Sequence, residues 1–337
     1  MSDYSFSARV LHYLALNFRS SLRLSFEIEK RYAGANEPVA NSTYVTGLAR
    51  SGTTALTHRI HNSGYFASLT YANMPFVLAP SWSKLLHRFS STNGKKQPRR
   101  HADGLEIGLQ TPEAFEEVFW RLFCGDQFLD RDCLVPHDVS ADIVRELATY
   151  HALVCHSQNR SRYLAKNNNL LLRLKSLGDQ MPVATFLLLF RRPEDQVASL
   201  ITQHTRFSNL ERFASRYMEW LCHHEFGDTF RPMAFDSAPI ARPDTRCPIY
   251  WLEQWESFYR YALEVLKESK ARIVPVCFER IYSDRDCWDR LCSLLHINEP
   301  FQRWDVDARA RGYELNLPIE RLAAARLVYE ELSAIAL

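Results

Sequence analysis

The chain of 337 residues carries 41 Lys and Arg against 39 Asp and Glu, a formal net charge of only +2, and 46% of its residues are hydrophobic. This composition excludes a disordered chain and gives no reason to expect general nucleic-acid binding. No apolar run approaches the roughly 20 residues that span a bilayer, and the N-terminus lacks the pattern of a signal peptide. Eight cysteines without a CxxC pair predict no zinc site, and buried thiols in a cytoplasmic protein are expected.

The first half of the chain is predicted to alternate between helices and one short strand. In chain order the pattern predicts a helix over 7–32, a β-branched strand at 43–46, a glycine-containing loop at 47–54, and helices at 55–62 and 74–89. Turn-forming residues at 90–104 predict a mobile loop. Pro112 then predicts a helix start, with Glu113, Glu116 and Glu117 placed where negative charge suits the helix dipole.

The second half adds buried strands separated by helices. In chain order the pattern predicts a helix at 139–157, an extended piece at 162–165, a helix at 170–177, the apolar strand TFLLLF at 185–190, a helix opened by Pro193, a strand at 273–278, and helices at 285–295 and 319–335. Residues 227–248 contain four prolines and predict an excursion or lid, whose order stays open.

Strands that alternate with helices predict an α/β fold of three layers with a mainly parallel central sheet, similar to P-loop folds. We expect a single domain over 1–337 with helical insertions at about 75–157 and 209–269. In such sheets the ligand lies beyond the C-terminal ends of the strands.

The segment GLARSGTT at 47–54 lies between a predicted strand and a predicted helix. Its two glycines, five residues apart, let backbone N–H groups and the helix N-terminus face an anion. The spacing is that of a Walker A loop, but Thr53 occupies the lysine position and Arg50 supplies the positive charge. A phosphate-like group held by amides, hydroxyls and one guanidinium is the functional interpretation, and a strand–helix turn without a ligand is the alternative.

The RSGTT sequence closely resembles the 5′-phosphosulfate loop of sulfotransferases that use 3′-phosphoadenosine-5′-phosphosulfate (PAPS), of the bacterial type and similar to tyrosylprotein and carbohydrate sulfotransferases. In that family an Arg at the end of a buried strand and a Ser eight residues later hold the donor's 3′-phosphate, and TFLLLF is followed here by Arg191 and, eight residues on, Ser199. The similarity covers about 43–64 and 162–295. It implies that the donor is bound by Arg50, Ser51, Gly52, Thr53, Thr54, Arg191 and Ser199.

The resemblance also implies a catalytic role for Lys166, which would contact the bridging oxygen or the sulfonate in flight. A surface lysine at a helix start is the alternative. Many relatives supply a catalytic base soon after the first helix, but 66–75 contains neither an acid nor a His. The candidates are His101, in the predicted loop, and Glu113, whose position helix-dipole compensation explains equally well. Asp103 and Glu117 are weaker candidates.

Three further features have two interpretations each. Phe278, in an aromatic–Glu pair after the last strand, lies near the adenine or in the core. The basic residues Lys95, Lys96, Arg99 and Arg100 belong to a solvated loop or steer an anionic ligand. His223 and His224 lack metal-ligand spacing and are expected to be structural or solvated.

These features predict a PAPS-dependent sulfotransferase that moves a sulfonate to a hydroxyl, of a carbohydrate or small metabolite, and releases 3′-phosphoadenosine-5′-phosphate (PAP). No metal is expected, because cationic side chains can stabilise the smaller charge of a sulfuryl group. The alternatives are a P-loop kinase or NTPase, which Thr53 and the absence of a Walker B acid disfavour, and a non-catalytic nucleotide-binding protein. The acceptor, the position sulfated and the oligomeric state stay open.

Overall fold

The computed structural model describes residues 6–34, 39, 41–83, 97–98, 106–235, 244–303, 315 and 317–337, with the backbone alone at 97–98 and 106–107. Four parallel strands form the central sheet in the order β4-β1-β5-β6. They are β1 (Asn41–Thr46), β4 (Arg162–Lys166), β5 (Thr185–Phe190) and β6 (Arg272–Cys277). A short antiparallel pair, β2 (Gln97–Pro98) and β3 (Glu106–Ile107), begins inside the segment predicted to be a loop.

Helices cover both faces of this sheet. They are α1 (Phe6–Leu16), α2 (Arg19–Tyr32), α3 (Thr53–Asn62), α4 (Glu117–Phe128), α5 (Ala141–Gln158), α6 (Leu174–Gln180), α7 (Pro193–Phe207), α8 (Arg212–Trp220), α9 (Pro248–Glu268), α10 (Phe278–Ser283), α11 (Arg285–Leu295) and α12 (Ile319–Ala334). None of the helices in the described ranges is both long and apolar enough to cross a membrane.

The side chains of β5 show why both faces must be covered. All six residues of this strand are buried, and they alternate between two cores. Phe186, Leu188 and Phe190 join the larger core, while Leu187 and Leu189 join the smaller one. The three-layer α/β prediction is therefore confirmed. TFLLLF is continuously apolar because both faces of this strand are covered, as expected.

The smaller core contains apolar side chains of α3, α10 and α11, such as Leu56, Ile281 and Trp288. The larger core includes residues of both predicted insertions, such as Tyr150 on α5 and Phe258 on α9. The insertions thus pack on the same face of the sheet and help to bury it.

Several predicted helix boundaries were wrong. The N-terminal helix is divided between α1 and α2, because Phe18 adopts an extended conformation. The helix expected from residue 74 begins at Pro80, since a proline without an N–H group fits the first turn of a helix but not its interior. The helix expected at Pro112 begins five residues later, at Glu117. Pro112 instead forms an extended bridge with Thr70, beside the hydrogen bond from Glu113 N to Leu69 O at 3.1 Å.

Candidate active site

The C-terminal ends of the four sheet strands bring the predicted site residues together. Lys166 is the last residue of β4 and pairs in register with Val45 of β1, two residues before the loop that starts at Gly47. Arg191 follows β5, and Phe278 follows β6. Residues as far apart in sequence as Val45 and Phe278 therefore meet at one edge of the sheet, where ligands bind in folds of this type.

The loop after β1 has a conformation that needs its glycines. Gly47 has φ 149° and Gly52 has φ 98°. A Cβ on Gly47 would collide with the carbonyl oxygen of Leu189, and one on Gly52 would collide with the ring of Phe278. Arg50 also has a positive φ, of 69°, which is uncommon for a residue with a side chain. The loop is thus packed tightly between β5 and α10, with Arg50 at its turn.

The two predicted parts of the donor site are in direct contact. Arg50 donates a hydrogen bond from Nε to Oγ of Ser199 on α7 at 2.9 Å. The Arg191 guanidinium lies over the Phe278 ring, 4.8 Å from its centroid, and Arg191 is buried. Phe278 therefore lies beside both the loop and the arginine, and its ring belongs to the smaller core. Ser51 is fully buried, and its amide donates to Leu48 O to close the turn.

A glutamine that sequence reasoning missed fastens this loop to α7. Gln196 donates from Nε2 to the carbonyls of Leu48 and Ala49 at 3.1 and 3.0 Å. Its Oε1 accepts from Trp255 Nε1 at 3.0 Å and from the Tyr259 hydroxyl at 3.4 Å. The side chain is fully buried, and all of its hydrogen-bonding groups are used. Little in the sequence signalled this role, because Gln196 directly follows Glu194 and Asp195 in the polar first turn of the helix after Arg191.

Lys166 and Glu113, both predicted to be catalytic, form a buried ion pair. Lys166 Nζ lies 2.7 Å from Glu113 Oε1, and the two side chains are 8% and 3% exposed. The same oxygen accepts from the amide of Ala114 at 3.1 Å. Lys166 is therefore not a surface lysine, and Glu113 fixes its ammonium group at the end of β4. His101 and Asp103 lie outside the described residues, as do Lys95, Lys96, Arg99 and Arg100.

Glu116 and Glu117 lie at the N-terminus of α4, where negative charge suits the helix dipole as predicted, and each is also buried with a basic partner. Glu117 pairs with Arg173 at 2.9 Å, and that guanidinium also lies over the Trp120 ring. Glu116 lies 3.2 Å from His151 Nε2. Burial tends to raise the pKa of Glu116, but hydrogen bonding to His151 and its charge lower that pKa overall. These pairs join the start of α4 to Arg173, directly before α6, and to α5.

Three asparagines directly after Lys166 connect the loop to the segment 222–225. Thr53 Oγ1 donates to Asn168 Oδ1 at 3.2 Å, and Asn168 Nδ2 donates to Glu225 Oε1 at 3.1 Å. Asn169 Nδ2 donates to the carbonyl of Cys222 at 3.3 Å. A run of buried polar residues after a strand was the sequence signal for this network, and it was missed.

The cysteine prediction is confirmed for seven of the eight thiols. All eight cysteines are free, and all are buried except Cys247, which is partly exposed. Burial raises the pKa of the Cys124 thiol to about 11, so this thiol stays protonated at neutral pH. Within the described ranges no group of three or more His, Cys, Asp and Glu side chains is arranged to hold a metal ion.

Three solved structures similar to this chain are bacterial sulfotransferases. Sulfotransferase STF1 from Mycobacterium tuberculosis H37Rv is 13% identical, with 94% of this chain and 83% of that one covered at a TM-score of 0.45. STF9 from Mycobacterium avium is 14% identical, with 98% and 84% covered at 0.49. A sulfotransferase from Alicyclobacillus acidocaldarius is 13% identical, with 88% and 96% covered at 0.39.

No protein-family model and no curated protein sequence matches the chain. The parallel sheet with helices on both faces is consistent with the fold of the three sulfotransferases.

Proposed function

We propose that this protein is a PAPS-dependent sulfotransferase. The observation that carries the proposal is the meeting of Lys166, the loop from Arg50 to Thr54, Arg191 and Ser199 at the C-terminal edge of β4, β1 and β5. Two guanidinium groups, one ammonium group and the N-terminus of α3 lie at this edge, which suits a ligand with several anionic groups.

The donor would lie along the edge from the loop toward β5. The loop amides and the hydroxyls of Thr53 and Thr54, at the start of α3, would hold the 5′ end. Arg191 and Ser199 would hold the 3′-phosphate, since a guanidinium makes paired charge-assisted hydrogen bonds to phosphate oxygens. The Phe278 ring beside Arg191 and Gly52 offers an apolar surface for the adenine.

Lys166 would stabilise charge in the transfer step. The donor supplies a sulfuryl group whose departure leaves negative charge on a phosphate oxygen. A fixed cation at that position lowers the barrier, because it interacts more strongly with the transition state than with the ground state. Glu113 holds the Lys166 ammonium in place through the 2.7 Å ion pair, so we assign Glu113 a positioning role.

The acceptor would approach from the other end of the edge. The donor extends from the β1 loop toward β5, which leaves the β4 side, with Lys166, for a hydroxyl. We propose a hydroxyl of a carbohydrate or small metabolite as the acceptor, and no metal in the reaction.

Calorimetric titration of the purified chain with PAP, and in parallel with ATP plus magnesium, tests this proposal. We expect micromolar binding of PAP and little binding of ATP. The reverse preference would contradict the donor site and would favour a nucleotide-dependent kinase.

A further inference from the structure

We propose that His223 is the general base that takes the proton from the acceptor hydroxyl. This inference rests on the proposed sulfotransferase function and adds a residue to the acceptor side of the same site. The need for another base follows from the contacts of Glu113. Its Oε1 already accepts hydrogen bonds from the Lys166 ammonium and the Ala114 amide. A carboxylate oxygen that already accepts two hydrogen bonds is not available to an acceptor hydroxyl.

The segment that carries His223 is fixed to the site at three points. Asn169 donates to the carbonyl of Cys222, and Asn168 donates to the carboxylate of Glu225. His223 Nε2 lies 3.3 Å from the carbonyl oxygen of Ala114, the residue after Glu113. The first two anchors come from the residues that follow Lys166, and the third comes from the residue next to its ion-pair partner. His223 is therefore held both by the residues that follow Lys166 and by the residue next to Glu113, the ion-pair partner of Lys166. In the proposed site, this lysine faces the transferred group.

The position of this segment matches the space left for the acceptor. Asn168 also accepts a hydrogen bond from Thr53, so Asn168 links the segment 222–225 to the end of the 47–54 loop from the β4 side of the sheet. The donor extends in the opposite direction, toward Arg191 at the end of β5. A base in this segment would thus lie on the face of the sulfuryl group away from its leaving phosphate, as in-line displacement requires.

The tautomer of His223 suits a base. A carbonyl oxygen can only accept, so the contact with Ala114 O places the proton on Nε2 and leaves Nδ1 with its lone pair. Among the described residues, none makes a hydrogen bond to this Nδ1, and the side chain is partly exposed. Imidazole is also the side chain best matched to proton transfer at neutral pH.

The neighbouring histidine serves a different purpose. His224 is 4% exposed, and its Nδ1 donates to the carbonyl of Thr229 at 2.9 Å. Burial lowers the pKa of His224 to about 4, so this imidazole is neutral and structural. Of the pair, only His223 is partly exposed.

The proposed step conserves atoms and charge. The acceptor oxygen forms a bond to sulfur while the bond from sulfur to the bridging phosphate oxygen breaks. The electron pair of that broken bond stays on the phosphate. The acceptor proton moves to Nδ1 of His223, and the products are a sulfate ester, PAP and a histidine that returns its proton to solvent.

The test compares His223→Ala, His223→Gln and His156→Gln, the last an exposed residue on α5 that serves as the control. Glutamine can still donate to the Ala114 carbonyl but cannot act as a base. Release of sulfate from radiolabelled PAPS, with water as the acceptor, gives the rate. PAP titration gives donor affinity, and thermal unfolding checks the fold.

We expect both His223 variants to lose at least about a hundredfold in rate, with PAP affinity changed less than about twofold. Added imidazole should restore part of the rate of His223→Ala, and His156→Gln should behave as the wild type. In the ligand-free protein, long-range proton–nitrogen correlation spectra should show His223 as the Nε2–H tautomer.

Other results would overturn the inference. A wild-type rate in His223→Gln would show that residue 223 contributes to the rate only through its hydrogen bond to Ala114 and not as a base. The inference would also be overturned by an Nδ1–H tautomer, or by wild-type protein that binds PAP yet releases no sulfate above the buffer rate. Absence of PAP binding by the wild type would instead contradict the proposed function itself.

Discussion

Arg50 and Ser199, separated by 149 residues, share a hydrogen bond of 2.9 Å at the centre of the candidate donor site. Arg50 belongs to the loop assigned to the 5′ end of the donor, and Ser199 to the helix assigned to its 3′ end. Through this contact, the orientation of Arg50 depends on Ser199, a residue assigned to the 3′ end of the donor. Arg191, by contrast, lies against Phe278 and is assigned to the 3′ side alone in the proposed donor site.

Ser199→Ala should weaken two ligands, PAP and adenosine 5′-monophosphate, which lacks the 3′-phosphate. The substitution removes a hydroxyl for the 3′-phosphate and the partner that orients Arg50 toward the 5′ end. A hydrogen bond to a charged group contributes roughly 1.5–3 kcal/mol, so we expect a loss of about tenfold or more for PAP and a smaller loss for the monophosphate. Ser208→Ala, at the end of the same helix, is the control. An unchanged monophosphate affinity would show that Ser199 does not position Arg50.

Arg191→Ala should weaken PAP by about tenfold or more and leave the monophosphate almost unaffected. The reason is that its guanidinium is assigned to the phosphate that only PAP carries. Arg192→Ala is a matched control, since this neighbouring side chain is 42% exposed and lies near Asp195 and Glu279. Calorimetric titration of each variant with both ligands measures the two affinities. Equal losses of affinity for PAP and for the monophosphate would show that Arg191 does not bind the 3′-phosphate.

Gln196→Met should lower both the free energy of unfolding and PAP affinity. The change leaves the carbonyls of Leu48 and Ala49 and the indole of Trp255 without their partner, at roughly 1–3 kcal/mol for each buried group. The loop would also lose its attachment to α7. Gln203→Met, about two turns farther along the helix and also buried, is the control. Denaturant unfolding and PAP titration should show that only Gln196→Met lowers both the free energy of unfolding and PAP affinity. Intact PAP affinity in that variant would show that the attachment of the loop to α7 does not affect ligand binding.

Gly47→Ala should destabilise the protein by at least about 2 kcal/mol, because the added Cβ collides with the carbonyl oxygen of Leu189 and lies 2.7 Å from Ser51 Oγ. Gly64→Ala isolates the backbone effect, since Gly64 also has a positive φ, of 78°, but nothing lies within 4 Å of its added Cβ. Strain alone should cost Gly64→Ala about 1 kcal/mol. Equal losses of unfolding free energy in the two variants would argue against close packing of the loop on β5.

The sequence predicted the sheet better than the contacts at its edge. The continuous apolar run TFLLLF predicts a strand covered on both sides, and Arg191 must then lie at its end. The ion pair of Lys166 with Glu113 could not be predicted, because the two residues are 53 positions apart and their approach depends on the bridge between Thr70 and Pro112. Glu113 therefore lies before α4 and pairs with Lys166, whereas Glu116 and Glu117 keep the predicted place at the helix N-terminus and also form buried ion pairs.

His224 predicts a specific dependence of stability on pH. Burial lowers its pKa from 6.5 to about 4, so the unfolded chain binds a proton at this residue more readily than the folded one. Its contribution to stability is therefore present above pH 6.5 and is lost as the pH falls toward 4. Between pH 7 and 5 the loss amounts to about 2 kcal/mol. Denaturant unfolding at both pH values should show this loss in the wild type, and His224→Asn, which can still donate to Thr229 O, should reduce it by about that amount. An identical pH dependence in the two proteins would mean that His224 is not held neutral in the fold.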